Sequence, residues 1–194
     1  MTVRLTLLCA AAPVEHDVRF GADTPLDERA LRAVRAVTAA LPTAACYTGP
    51  SQRCRQTAQA LGWDDAGVEP ALRDVDMGRW HGRTLSEVAA SDGAGLAAWM
   101  SDPEAAPHGG ESVGQVCHRI AAWLDALPAD TGRTAAVVEQ AIARAAVVHA
   151  LGAPQRSFWR IDVPPLSAFQ LTGREGRWNL RMGTVSTAQA YGGA

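Results

Sequence analysis

The chain contains no lysine: all 18 of its basic residues are arginine. That excludes a lysine Schiff base and the lysine of a P-loop, and leaves local arginine groups to recognise any small anion. Cysteine is sparse, and Cys9, Cys46, Cys54 and Cys117 lie far apart without CxxC spacing. Neither a zinc site nor a disulfide framework is expected, so the thiols are read as reduced and no metal or cofactor is assigned. No apolar stretch approaches a membrane span, and no basic region followed by a long apolar stretch leads the chain, so a cytoplasmic protein with no membrane partner is expected. An excess of one charge is also missing. The net charge of −2 and pI near 6.2 give no electrostatic footprint for nucleic acid. No segment repeats.

What is present reads as one globular domain. Its 194 residues are 47% hydrophobic and 20% charged, enough to bury a core without staples. Residues 3–9 form an increasingly apolar run with a period-two start, which predicts a buried strand ending at Cys9. Thr24-Pro25-Leu26-Asp27 offers a cap, a proline at the first helical position and an acid three residues after the cap, predicting a helix to Leu41. A strand over 44–48 follows. Gly49-Pro50-Ser51 turns it into a helix from about Gln52 to Gly62, an arrangement suited to anion binding. Residues 72–82 read as a polar loop before the capping box Thr84-Leu85-Ser86-Glu87. Short helical and loop segments over 94–112 lead to an amphipathic helix over 113–127. A strand over 133–138, a helix over 141–151 and strands over 168–171 and 178–182 complete the pattern. Alternating strands and helices predict an α/β fold, a three-layer α/β/α sandwich over residues 1–183, with 184–194 as a disordered tail.

Five segments in order carry a resemblance. They are Leu5-Thr6-Leu7-Leu8, residues 19–26 from Arg19 to Leu26, Arg53-Cys54-Arg55-Gln56-Thr57-Ala58, residues 72–80 from Leu72 to Trp80, and Gly109-Gly110-Glu111-Ser112. Together the chain resembles the phosphoglycerate-mutase-like histidine phosphatases over nearly its whole length. The resemblance implies that the first strand should end in an arginine and an attacking histidine, but those places hold Cys9 and Ala10. The second pocket arginine matches Arg53, the leaving-group acid matches Asp74 in place of a glutamate, and the second histidine matches Glu139, counted back from Arg144. A methyl group cannot attack phosphorus, so a phosphohistidine cannot form at Ala10.

The charge exchange at Glu139 opposes a phosphate dianion by roughly 4 kcal/mol per charge pair at 4 Å with an effective dielectric near 20. A small zwitterionic ester, with an amine near Glu139 and an oxyanion near Arg53, fits better on these grounds. Catalytic candidates are Glu139, Asp74 and Cys9; ligand-binding candidates are Arg53, Ala10, Arg19, His108, Glu111 and Trp80. Structural readings stand beside them. Cys9 reads as a buried hydrophobe before a nucleophile, Glu139 as a strand-end residue as readily as a base, and Arg53 as a partner of Asp74 or Glu139 in an internal ion network. His16 is a weaker candidate. Three functions remain open: a repurposed enzyme promoting elimination, cyclisation or another non-hydrolytic step, a pseudophosphatase binding a small anion or a protein partner, and a residual hydrolase using Cys9 or His108. A homodimer is a further expectation.

Overall fold

The fold is given by a computed structural model that describes residues 2–13, 18–37, 45–128, 131–174 and 176–181. His16, the helix end at Leu41, the strand start at Ala44, Met182 and the expected tail lie outside the described residues. Six strands form one sheet: β1 (Val3–Cys9), β2 (Ala45–Thr48), β3 (Gly67–Val68), β4 (Arg133–Val138), β5 (Ala168–Arg174) and β6 (Arg177–Arg181), in the order β3-β2-β4-β1-β5-β6. β1 to β4 run parallel, while β5 and β6 add an antiparallel edge. The helices are α1 (Glu28–Val37), α2 (Gln52–Ala60), α3 (Leu85–Ser101), α4 (Val113–Asp125) and α5 (Gln140–Ala150).

The parallel strands are apolar along their length because helices cover both faces. Alternation splits their side chains between two cores. Leu5, Leu7, Cys9, Ala136 and Val138 pack with α4 and α5, whereas Leu8, Ala10 and Val137 pack with α1 and α2. The expected three-layer sandwich is therefore present.

Local departures have local causes. The first helix begins three residues later than its capping pattern predicts, because Asp27 caps Ala30 N while Leu26 N is taken by Gln56. The capping box at Thr84 starts one helix through Ser101, bent at Asp92 (φ −148°, ψ 47°), where the Asp92 carboxylate accepts from Gly95 N and restarts the helix. The two-residue β3 carries too little pattern to be read from sequence. Among the described residues no helix is long and apolar enough to cross a membrane.

Candidate active site

A cavity of about 520 Å³ opens beyond the carboxyl ends of β1, β2 and β4, where open α/β sheets place their ligands. Its floor comes from the segments that leave those strands: Ala10–Pro13 after β1, Arg53 at the start of α2, and Glu139–Ala141 at the start of α5. Ala10 N bonds to Val138 O at 2.8 Å and Ala11 N to Thr57 Oγ1 at 3.1 Å, fixing the first of these segments.

Glu139 caps no backbone with its side chain. It faces α2 instead, accepting from Ser51 Oγ at 2.7 Å on one oxygen and from Arg53 Nη2 at 2.9 Å on the other. Both partners of this ion pair are largely buried, and Cys54 Sγ lies 3.7 Å from the same carboxylate. The guanidinium expected to await an anion is thus already paired inside the protein, the internal ion network that the sequence left open. A zwitterionic ligand seated across it would have to part that pair. Asp74 also lines the cavity, and its carboxyl is pushed up to about 7, first by burial and then by the negative charge of Glu139, against weaker relief from the Val75 backbone, Arg53 and Arg119. Two carboxyl groups therefore share one floor.

Arg19 stands at the mouth, donating to Gly82 O at 2.9 Å and lying 3.5 Å from Glu87. Its segment is held at both ends. Phe20 N bonds to Arg83 O, Gly82 N bonds back to Phe20 O, and Asp23 accepts from Gln52 N and Arg53 N at the head of α2.

Four expected site residues lie elsewhere. Cys9 sits on the α4/α5 face of β1 and does not line the cavity; burial, then Glu139, pushes its thiol up to about 12, leaving almost no thiolate at neutral pH. His108 is 2% exposed behind the wall, ringed by Trp80 and Trp99 at centroid distances of 5.0 and 6.2 Å, and burial lowers its basicity. Trp80 is wholly buried in the same cluster, its indole N–H 3.3 Å from Asp92. Glu111 binds protein: Arg119 holds it through Nε at 2.8 Å and Nη2 at 2.7 Å, and Arg73 reaches it at 3.3 Å. The structure places Ala10, Arg19, Arg53, Asp74 and Glu139 along one cavity.

Sequence reasoning missed the walls. Trp99, Phe158 and Trp159 face the cavity with Phe20 and Met77, and Arg144 approaches from α5. Trp99 serves both as core and as wall, and a short turn of 3-10 helix (Gln155–Arg160) carries Phe158 and Trp159. Arg144 was legible, since its spacing from Glu139 located the second-histidine position.

The mostly parallel sheet, with a floor assembled after three strands, defines a three-layer α/β/α domain with its cavity at the strands' carboxyl ends. Residues 10–185 match the model of the histidine phosphatase superfamily (branch 1), and the chain belongs to that superfamily. Over 73 residues it is 45% identical to a glucosyl-3-phosphoglycerate phosphatase of Mycolicibacterium vanbaalenii, a match covering 35% of this chain and about a third (32%) of that relative's length. Among solved structures, a mycobacterial glucosyl-3-phosphoglycerate phosphatase in complex with VO3 is similar at TM-score 0.76 and 25% identity, covering 92% of this chain and 96% of that one. The α-ribazole phosphatase of Shigella flexneri shares the fold at TM-score 0.80 and 20% identity, covering 92% and 94% of the two chains.

Proposed function

We propose that this chain is an acid–base enzyme on the histidine phosphatase fold that works without a phosphoenzyme. Asp74 moves the proton; burial raises its affinity for it, and Glu139, fixed by Arg53 and Ser51, raises it further. The observation that carries this reading is the floor itself: a methyl group at Ala10, an ion-paired carboxylate at Glu139 and a second carboxyl that titrates near 7. A group with that affinity gives and takes a proton with similar ease at neutral pH. The floor offers no attacking atom from Ala10, and its two carboxyls oppose a phosphate dianion. Elimination, cyclisation or departure of a group needs only proton transfer and a shielded pocket, so these reactions suit it. The relatives' named substrate is not carried over, because the residues that would attack its phosphate are replaced. A replacement nucleophile at Cys9 or His108 has no support in their positions outside the cavity.

The test compares wild type with Asp74→Asn on a cell-extract pool of small molecules in deuterated water, read by mass spectrometry. Wild type is expected to deplete or deuterate at least one compound, and D74N to leave it untouched. Release of inorganic phosphate from p-nitrophenyl phosphate, with a phosphorylated chain by intact mass, would overturn the proposal. A second reading, binding without turnover, draws support from an Arg53–Glu139 pair that is complete without a ligand. It predicts that a compound bound in calorimetry is recovered unchanged.

A further inference from the structure

Three arginines reach the cavity, and they differ in what they already hold. Arg53 is paired with Glu139, and Arg19 leans on Gly82 O and Glu87. Arg144 makes no ion pair among the described residues. Its Nε donates to Ile161 O at 2.8 Å and its guanidinium carbon lies 5.7 Å from the centre of the Phe158 ring. One edge of a planar fork is thereby oriented, while its terminal nitrogens remain to meet a ligand.

The surface around that fork is apolar. Phe20, Met77, Trp99, Phe158 and Trp159 form the walls, and the rim presents Val18, Leu85 and Met100 at 78%, 55% and 54% exposure. Large apolar side chains left in water at a cavity mouth are conspicuous, because such surface is gained back only when something apolar covers it. Beyond the floor the lining has few side chains able to satisfy hydroxyl groups, so a sugar would leave its buried polar atoms unpaired. At the floor, Asp74 and Glu139 oppose a second negative charge on the ligand.

We infer that Arg144, rather than Arg53, anchors the ligand, and that the ligand is a mostly apolar, ring-bearing monoanion: an aromatic carboxylate held by the Arg144 fork, its ring against Phe158, Trp159 and Trp99. This rests on the proposed function only in taking the cavity as the working site. It replaces the small polar ester expected from sequence.

The probe is indole-3-propionate, titrated by calorimetry against wild type, Arg144→Gln, Arg144→Lys and Arg53→Gln, with far-ultraviolet circular dichroism as the folding control. Inorganic phosphate, glucose 6-phosphate and the methyl ester of indole-3-propionate serve as comparison ligands. Indole-3-propionate is expected to bind wild type more tightly than phosphate or glucose 6-phosphate. R144Q should weaken it by about tenfold or more, and R144K by less. On wild type the uncharged methyl ester should bind about tenfold more weakly than the acid, a readout that stands even where R144Q does not fold. The inference is overturned by no binding of the acid, by equal affinity for acid and ester, by tighter binding of either phosphate compound, or by loss in R53Q with none in R144Q. None of these measurements needs turnover. Loss of Asp74-dependent chemistry would remove the proposed function and leave the Arg144 anchor standing, and the reverse result would do the opposite.

Discussion

Arg119 holds Glu111 and the backbone just before Asp74 with one guanidinium. Two of its nitrogens grip the Glu111 carboxylate, and the third donates to Ala71 O at 2.5 Å and Arg73 O at 3.0 Å. The Gly109-Gly110-Glu111-Ser112 segment therefore acts on the floor indirectly, by fixing where Asp74 stands. Both side chains of the pair are nearly buried, so removing one strands the other. Arg119→Ala is expected to cost about 3 kcal/mol of stability in urea denaturation. Any Asp74-dependent turnover should fall in the fraction that still folds.

Asp74 ties stability to pH. Its carboxyl rises from an ordinary 3.8 to about 7 in the folded chain, so the folded state prefers the protonated form. The contribution is fully present below about pH 4, where both states are protonated, and is lost as pH climbs through 7. Denaturation midpoints of wild type should fall between pH 5 and pH 8, with the Asp74 share on the order of a few kcal/mol. Asp74→Asn should flatten that fall, and an unchanged slope would contradict the assignment.

Building a phosphohistidine at this floor is expected to require more than one histidine. Ala10→His alone places an imidazole beside Cys9 and a paired Glu139, with Arg53 already held by that carboxylate. Intact-mass measurement after incubation with p-nitrophenyl phosphate should show no phosphorylated chain for A10H. The A10H/E139H combination is expected to give an acid-labile phosphorylated chain, because it frees Arg53 and supplies both imidazoles.

Cys9 should resist alkylation. With its thiol at about 12 and its side chain 1% exposed, iodoacetamide at pH 8 is expected to leave it unlabelled in the folded chain and to label it in urea. Glu139→Gln removes only the second cause of its raised affinity, so labelling should remain slow.

Gly78 and Gly110 lock the Asp74 segment against the His108 loop. Gly78 has φ +45°, and a Cβ there would run into His108 O; one at Gly110 would run into Asp76 O. Gly78→Ala is expected to cost about 2 to 3 kcal/mol in denaturant unfolding.

Every strand but β3 and most helices were legible because period-two and helical patterns are local, as is the capping box at Thr84. The placement of Ala10 and Glu139 on the cavity floor was legible through spacing. What spacing does not contain is which neighbour a charge chooses. Arg53 turned to Glu139 because Ser51 completes that carboxylate's second oxygen, and Glu111 turned to Arg119 one helical face away. The aromatic walls escaped because a tryptophan that lines a cavity and one that fills a core carry the same apolar pattern, and Trp99 does both.

The segment from Arg19 to Asp23 is stitched to the chain around Gly82 at one end and to the head of α2 at the other. A doorway hung from two posts does not swing. The amide of Phe20, bonded to Arg83 O, should exchange with solvent slowly for a residue in a loop.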